Sequence, residues 1–172
     1  IRLLEIFSLP GIKNLNDFLN KKKDIKLENL SLITEQNHAN NSQYCPIVAG
    51  VSFLDQVGAL VNLNEIKFTN MSYPMLFLPF VSRASEIIGR RILLKIDEKE
   101  FLMNFNNNIN SNFFRKEIII TAKNVSINIL DNEDSFNENE WKELYKLSEE
   151  MFVEENESLK KSGAGAGLTD ND

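Results

Sequence analysis

Few residues of this sequence have the types and spacing that catalysis requires. Cys45 is the single cysteine, and His38, seven residues earlier, is the single histidine. An imidazole that accepts the thiol proton would leave a reactive thiolate, so a Cys–His nucleophilic pair is one hypothesis. No third residue that would orient the histidine is evident, and free cysteines are among the most buried residue types. We therefore expect Cys45 to be a packed core thiol.

A second hypothesis joins an arginine to the carboxyl-terminal residues. The segment 162–172 alternates glycine with alanine before it turns acidic. Small residues let backbone N–H groups approach a ligand, while the carboxylates that follow disfavour phosphate and favour a hard cation or an amine. The alternatives are a flexible tail and a surface ion pair for the arginine. If a ligand site exists, we expect Arg83 to meet Thr169, Asp170, Asn171 and Asp172.

The amounts of cysteine, histidine and charge exclude several classes of site. One cysteine and one histidine cannot form a disulfide, a cysteine-cluster zinc site or a two-histidine motif. A net charge of -6 disfavours binding to nucleic acid, whose phosphate backbone is also negative. Apolar runs such as Ile47–Leu54 and Met75–Val81 are far shorter than the ~20 residues of a spanning helix. We expect a soluble, cytoplasmic protein with no metal, cofactor, nucleic-acid or membrane partner.

Hydrophobic periodicity predicts two helices at the amino end of the chain. Ile1–Phe7 has the pattern of a helix end that stops at Pro10-Gly11. Leu15, Phe18 and Leu19 lie at helical spacing, and the three lysines from Lys21 to Lys23 suit the negative end of a helix dipole. Because the chain starts without Met inside an amphipathic run, we expect that an upstream segment is missing.

The middle of the chain contains apolar runs that predict strands. Ile47–Leu54 is rich in β-branched residues and follows Pro46, which favours a buried strand, although glycines leave a helix open for part of it. Asp55 would then lie at a strand end, as a turn or cap residue or as a functional one. Ile66–Phe68 and Met75–Leu78 are short strand candidates.

The following segments predict a helix, a hairpin and two more strands. Phe80–Ile88 has apolar residues on one helical face, with Gly89 as its carboxyl-terminal cap. Alternating residues predict a β-hairpin formed by Arg91–Ile96 and Glu100–Phe105. Glu117–Ala122 and Val125–Leu130 are the last two strand candidates.

The clearest helix comes after residue 137. Ser135 or Asn137 is expected to cap it, with Glu138 or Glu140 closing a capping box. Its apolar stripe consists of Trp141, Leu144, Tyr145, Ser148, Met151 and Phe152. The predicted fold is α+β: a mostly antiparallel sheet, an N-terminal helical hairpin and a C-terminal amphipathic helix packed on one face. One domain, 1–161, would precede the segment 162–172.

Three blocks of sequence carry a resemblance to a known family. They are Tyr44–Gly50, Tyr73–Ala84 and Ser162–Asp172, the last being the most specific. The chain resembles an uncharacterised bacterial family known only as a domain of unknown function, and Ile1–Gly11 resembles the part that follows the opening helix of that family. The resemblance implies no activity.

Two functional hypotheses remain. The first is a non-catalytic accessory or interaction protein, self-association included, because no catalytic set is present and the helix after residue 137 carries an aromatic stripe. The second is a small-molecule-binding protein or an enzyme of unknown reaction that uses Arg83 and the carboxyl-terminal segment. We favour the first, since the second lacks recognisable reaction chemistry.

Overall fold

The computed structural model describes residues 1–106, 108–113, 117–131 and 136–151. It divides into two units, Ile1–Asn132 and Glu133–Asp172, and each is described by itself. The first unit is α+β and contains a mixed, mostly antiparallel sheet. The division into a domain 1–161 and a segment 162–172 stays a prediction, because 162–172 lies outside the described residues.

The sheet of the first unit has eight strands in the order β1-β3-β4-β8-β5-β6-β7, with β2 also paired to β4. The pairs β4/β8, β8/β5, β5/β6 and β6/β7 are antiparallel. The pairs β1/β3, β2/β4 and β3/β4 are parallel. The strands are β1 Leu27–Glu28, β2 Gln36–Asn37, β3 Gln43–Tyr44, β4 Ile66–Ser72, β5 Ile92–Ile96, β6 Lys99–Met103, β7 Ile109–Ser111 and β8 Thr121–Ile129.

Four helices accompany this sheet: α1 Arg2–Ile6, α2 Gly11–Lys21, α3 Pro46–Leu60 and α4 Leu78–Ile88. The predicted helix α2 ends at the lysine run. The predicted glycine cap of α4 is confirmed, because Gly89 has a φ of 64° and its N–H donates to the carbonyl of Ser85. Glycine adopts this left-handed conformation without the Cβ penalty that other residues incur.

The predicted strand at Ile47–Leu54 is wrong, because this segment lies inside helix α3. Its buried residues are spaced as a helix requires: Pro46, Ala49, Gly50, Phe53, Val57 and Leu60. Pro46 occupies the first turn, where the missing N–H is not needed for a helical hydrogen bond. Asp55 is therefore an exposed residue in the middle of a helix rather than the end of a strand.

Two other strand predictions are corrected. Pro74–Leu76 forms a 3₁₀ turn and Leu78 begins α4, so Met75–Leu78 is not a strand. Every residue from Met71 to Leu78 is buried, and an apolar run without a wet face has no periodicity that separates strand from helix. Of the two strands predicted between residues 117 and 130, β8 contains nearly all of the second but only Thr121 and Ala122 of the first, because it runs from Thr121 to Ile129.

The predicted hairpin is confirmed as β5 and β6, which pair from Ile92 and Met103 to Ile96 and Lys99. Asp97 opens its turn with a φ of 51°. The Asp97 Oδ1 atom accepts hydrogen bonds from the N–H groups of Lys123 (3.1 Å) and Asn124 (3.0 Å). Asp97 thus fastens the hairpin turn to the middle of β8.

The core lies where α3 and α4 cover the sheet. Phe77, just before α4, makes edge contacts with Phe53 of α3 and Phe68 of β4, with ring centroids 5.9 and 5.5 Å apart. These rings belong to one cluster with the inward side chains of β5 and β8, including Leu94 and Ile127. Aromatic burial of this kind dominates core energetics.

The second unit contains α5, Glu138–Met151. The Asn137 Oδ1 atom accepts hydrogen bonds from the N–H groups of Asn139 and Glu140, and the Glu140 carboxylate accepts one from the Asn137 N–H at 2.8 Å. This reciprocal arrangement is the predicted capping box in its Asn137/Glu140 form. The other predicted cap, Ser135, and the last stripe residue, Phe152, lie outside the described residues.

Candidate functional site

The backbone has an unusual conformation where β4 gives way to the 3₁₀ turn. Tyr73 has a φ of 42° and a ψ of 57°, a left-handed conformation that is uncommon for a bulky residue and disfavoured before proline. Its N–H donates to the Ile120 carbonyl at 2.8 Å, and its carbonyl accepts from the Leu76 N–H at 2.9 Å. These two hydrogen bonds hold Tyr73 in a conformation that is strained on its own.

The side chain of Tyr73 reaches helix α2. Its hydroxyl donates a hydrogen bond to the Asp17 Oδ2 atom at 2.7 Å. The Lys21 ammonium, one helical turn further along α2, lies 3.1 Å from the same oxygen. The ring of Phe18 packs edge-on against the Tyr73 ring, with centroids 5.5 Å apart. An ionised acceptor makes this a stronger hydrogen bond than a neutral pair would form.

Electrostatics fix the protonation states of this pair. Burial of the ring and the hydrogen bond to Asp17 raise the pKa of Tyr73 to about 12. The hydrogen bond from Tyr73 and then that from Lys21 lower the pKa of Asp17 below its ordinary value. The phenol therefore stays protonated and the carboxylate stays charged at neutral pH. The Tyr73 hydroxyl is thus a hydrogen-bond donor that ties α2 to the turn before α4.

Cys45 belongs to the same part of the molecule. It precedes α3, and its side chain lies in one apolar cluster with Phe18, Tyr73 and Leu76. Cys45 is 8% exposed, so the expectation of a packed thiol is confirmed. Two of the blocks on which the family resemblance depends, Tyr44–Gly50 and Tyr73–Ala84, thus meet around Tyr73 and α2.

His38 does not share this environment. It follows β2 and is exposed, whereas Cys45 follows β3 and is buried. The hydrophobic residues that pack around Cys45 include members of α2, β1, α3 and the Tyr73 turn. The arrangement therefore gives no support to a Cys–His nucleophilic pair.

Arg83 lies on the outer side of α4. Its guanidinium forms an ion pair with Glu86, one turn further along the helix, and its side chain is 58% exposed. The residues predicted to meet it, Thr169, Asp170, Asn171 and Asp172, lie outside the described residues. The predicted ligand site therefore stays a prediction, and the described part of it is an ordinary helical ion pair.

A different kind of surface is found on α5. Within its own unit, this helix leaves four large side chains exposed: Trp141 (53%), Leu144 (59%), Tyr145 (57%) and Leu147 (59%). The Trp141 ring lies beside the Phe136 ring, with centroids 5.6 Å apart. Three of the four are members of the stripe that the sequence predicted, and Leu147 widens it. Clustered exposed apolar side chains mark interaction surfaces.

The described ranges contain neither a cluster of metal-ligand side chains nor a helix suited to cross a membrane. Within them, no three His, Cys, Asp or Glu side chains are grouped as metal ligands would be. A helix that crosses a bilayer needs a length and an apolar character that none of the described helices has.

The Asp17–Tyr73 pair was not foreseen from the sequence. Its members lie 56 positions apart, and each has an ordinary local explanation, Asp17 as a polar helix residue and Tyr73 as an apolar one before proline. One signal could have found it. Phe18 faces the core, and Asp17 precedes it in the same helix, so the Asp17 carboxylate lies at the edge of the buried surface.

Comparison with known proteins gives one family match, over part of the chain. Residues 1–45 match the model of a family described as "Protein of unknown function (DUF3726)". The matched segment contains α1, α2 and β1 to β3, and it ends at Cys45. Comparisons with curated proteins and with solved structures found no match. The predicted resemblance to a domain of unknown function is confirmed over this segment, while the carboxyl-terminal signature and the bacterial origin stay predictions.

Proposed function

We propose that this protein is a non-catalytic interaction protein that self-associates through the apolar face of α5. The observation that carries this proposal is the exposure of Trp141, Leu144, Tyr145 and Leu147 on one helix. A helix of 14 residues is marginal in water unless its apolar face is packed. Burial of each such side chain contributes about 1.5–3 kcal/mol, so a partner that covers the face stabilises the helix as well.

The described polar residues support a role without catalysis. Asp17 and Tyr73 hold each other in fixed protonation states, Arg83 is paired with Glu86 and Cys45 is packed among apolar side chains. Each of these groups thus has a structural role. The alternative, a small-molecule-binding protein or enzyme that uses Arg83 and the carboxyl-terminal segment, stays a prediction that no described contact favours.

Two finer parts of the predicted fold stay predictions: an N-terminal helical hairpin, and a C-terminal helix packed on one face of its own sheet. The second competes with this proposal, because a helix packed on its own sheet has no free apolar face. If α5 packs on its own sheet, Trp141 is protected from solvent in a monomer. If α5 mediates self-association, the protection of Trp141 increases with protein concentration. Quenching of Trp141 fluorescence by iodide, measured over a dilution series, separates these outcomes, because Trp141 is the single tryptophan.

The decisive experiment is sedimentation velocity on the full chain over a wide concentration range. We expect a dimer or larger species that dissociates on dilution, and we expect Trp141→Glu and Leu144→Glu to shift the equilibrium to the monomer. Leu32→Glu is the matched control, because Leu32 is also exposed (68%) but lies in a loop of the first unit. A chain that is monomeric at every concentration, or association that ignores the α5 substitutions, would overturn the proposal.

A further inference from the structure

A second exposed apolar surface lies on the amino-terminal helices. Ile6 of α1 is 64% exposed, and Ile12 and Leu19 of α2 are 65% and 47% exposed. Ile12 and Leu19 are seven residues apart in one helix, so they lie on the same side, two turns from each other. We call Ile6, Ile12 and Leu19 with the neighbouring Lys22 and Lys23 the α2 surface.

This surface borders a groove. An open cleft of about 610 Å³ lies beside the turn that joins α1 to α2, and Ile12, Lys13 and Asn16 form its α2 wall. The Glu5 carboxylate of α1 accepts a hydrogen bond from the Ile12 N–H at 2.7 Å, which fixes the two walls to each other. The lining is mixed: Leu9, Pro10 and Ile12 are apolar, and Glu5, Ser8, Lys13 and Asn16 are polar. A groove with both kinds of side chain can receive an amphipathic helix.

The charge of the α2 surface differs from that of the rest of the protein. Residues 1–27 contain six Lys and Arg side chains but only three Asp and Glu, although the whole chain has a net charge of -6. Lys21 is paired with Asp17. Lys22 and Lys23 have no carboxylate partner among the described residues. A partner of this surface should therefore be apolar on one face and acidic beside it.

Helix α5 has the complementary character. It contains five Glu and two Lys. Helical geometry places Glu138 and Glu149 on one flank of the Trp141/Leu144/Tyr145 stripe and Glu140 on the other. Lys142 shares the first flank and forms an ion pair with Glu138 at 3.3 Å, so Glu149 is the carboxylate of that flank that we assign to the partner. Glu143 lies on the far side of the helix. The apolar stripe of α5 thus matches the apolar residues of the α2 surface, and the glutamates of α5 are opposite in charge to its lysines.

We propose that the α2 surface binds α5 of a second copy of this chain. This inference rests on the proposed self-association and names the surface that receives the helix. Each contact joins two different surfaces. When two copies exchange their α5 helices, the two equivalent contacts form a closed dimer with two-fold symmetry, which is an isologous interface. Long-range attraction between the lysines and the glutamates makes the contact sensitive to salt.

Single substitutions test whether the α2 surface takes part. We expect Ile12→Glu to raise the dissociation constant of the dimer about tenfold or more, as loss of a central apolar contact does. Ile87→Glu is the matched control, because Ile87 of α4 is similarly exposed (55%) but lies outside this surface. If the α5 substitutions weaken the dimer while Ile12→Glu leaves it intact, self-association stands and the α2 surface is ruled out.

Mixing two defective variants tests whether the helix is exchanged between copies. Ile12→Glu retains a sound α5, and Leu144→Glu retains a sound α2 surface, so the mixture can form one intact contact that neither variant forms alone. We expect the mixed sample to associate more tightly than either variant alone, as measured by sedimentation with one variant fluorescently labelled. A mixture no tighter than the single variants would overturn the exchange.

Charge reversal gives an independent test of register. We expect Lys22→Glu with Lys23→Glu to weaken the dimer about tenfold at low salt, and Glu149→Lys in the same chain to restore part of the loss. Glu143→Lys is the control, since it makes the same charge change on the far side of α5. If Glu143→Lys restores the dimer as well as Glu149→Lys does, the effect depends on net charge alone, and the specific contact is overturned.

Discussion

The hydroxyl of Tyr73 donates a 2.7 Å hydrogen bond to the carboxylate of Asp17. This contact joins α2, which lies within the family-matched residues 1–45, to the turn that leads from β4 into α4. Because Tyr73 is fully buried and has a left-handed backbone, its hydroxyl has a fixed position. The pair therefore orients α2, and with it the α2 surface, relative to the core.

Removing the Tyr73 hydroxyl should destabilise the protein without changing its fold. We expect Tyr73→Phe to lower the free energy of unfolding by about 1 kcal/mol, because one hydrogen bond is lost while Asp17 can turn to water. Urea denaturation followed by circular dichroism measures the change. Tyr44→Phe is the control: Tyr44 is equally buried, but its hydroxyl has no hydrogen bond to a described residue. Equal losses in the two variants would contradict a special role for Tyr73.

The Asp17 carboxylate should make stability depend on acid pH. Its pKa in the folded protein lies below the ordinary value of 3.8, so its contribution is fully present above the unfolded pKa and is lost as pH falls through the folded pKa. We expect Asp17→Asn to be less stable than the wild type at neutral pH and to lose less stability on acidification below about pH 4. Thermal melts over a pH series measure this; parallel pH profiles would contradict it.

The phenol of Tyr73 should lose its proton only at a higher pH than an ordinary tyrosine does. Its folded pKa of about 12 lies above the ordinary value of 10.0, so its contribution to stability is fully present below the unfolded pKa and is lost as pH rises through the folded one. Ultraviolet absorbance of the phenolate measures the three tyrosines together. Burial also raises the pKa of Tyr44, so Tyr44→Phe is the reference variant. We expect the step near pH 12 to vanish in Tyr73→Phe and to persist in Tyr44→Phe. The reverse pattern would assign that step to Tyr44.

Two glycines of α3 should respond oppositely to alanine. A Cβ at Gly50 would overlap the Phe80 ring, with Cε2 at 2.8 Å, whereas a Cβ at Gly58 would meet nothing within 4 Å. We expect Gly50→Ala to destabilise by about 1–3 kcal/mol through overpacking. Gly58→Ala should stabilise by about 0.5–1 kcal/mol, because alanine is the better helix former. Denaturation midpoints of the two variants test this; stabilisation by both would show that α3 and α4 are not closely packed at Gly50.

Asp97 should be replaceable by asparagine but not by alanine. Its Oδ1 atom accepts two β8 N–H groups, and its φ is 51°. We expect Asp97→Ala to cost about 1–2 kcal/mol, because the acceptor is lost and alanine is strained there. Asparagine keeps an acceptor and tolerates the conformation, so Asp97→Asn should be nearly neutral. Amide hydrogen exchange at Lys123 and Asn124 reports the local effect, and unchanged exchange in Asp97→Ala would contradict it.

Several elements were predictable because local chemistry determines them. A glycine in the left-handed conformation ends α4 at Gly89, alternation marks β5 and β6, and the Asn137/Glu140 box begins α5. The runs at Ile47–Leu54 and Met75–Leu78 were wrong as strands for a shared reason. Met75–Leu78 is buried throughout, and the exposed side of Ile47–Leu54 carries the apolar Val51. Neither run therefore has the polar face from which a period of two or of 3.6 residues can be recognised. The two-residue strands β1 to β3 are too short to have any period.

By itself, the sequence determined the α+β class, the helix caps, the hairpin and the aromatic stripe of α5, because each depends on residues close together in the chain. Tertiary structure alone decided that the apolar run after Pro46 is a helix and that Asp17 meets Tyr73. It also decided that Cys45 packs in the apolar cluster of Tyr73, whereas His38 is exposed. These outcomes depend on which surfaces are buried against each other, and such contacts join residues far apart in sequence. No local propensity encodes them.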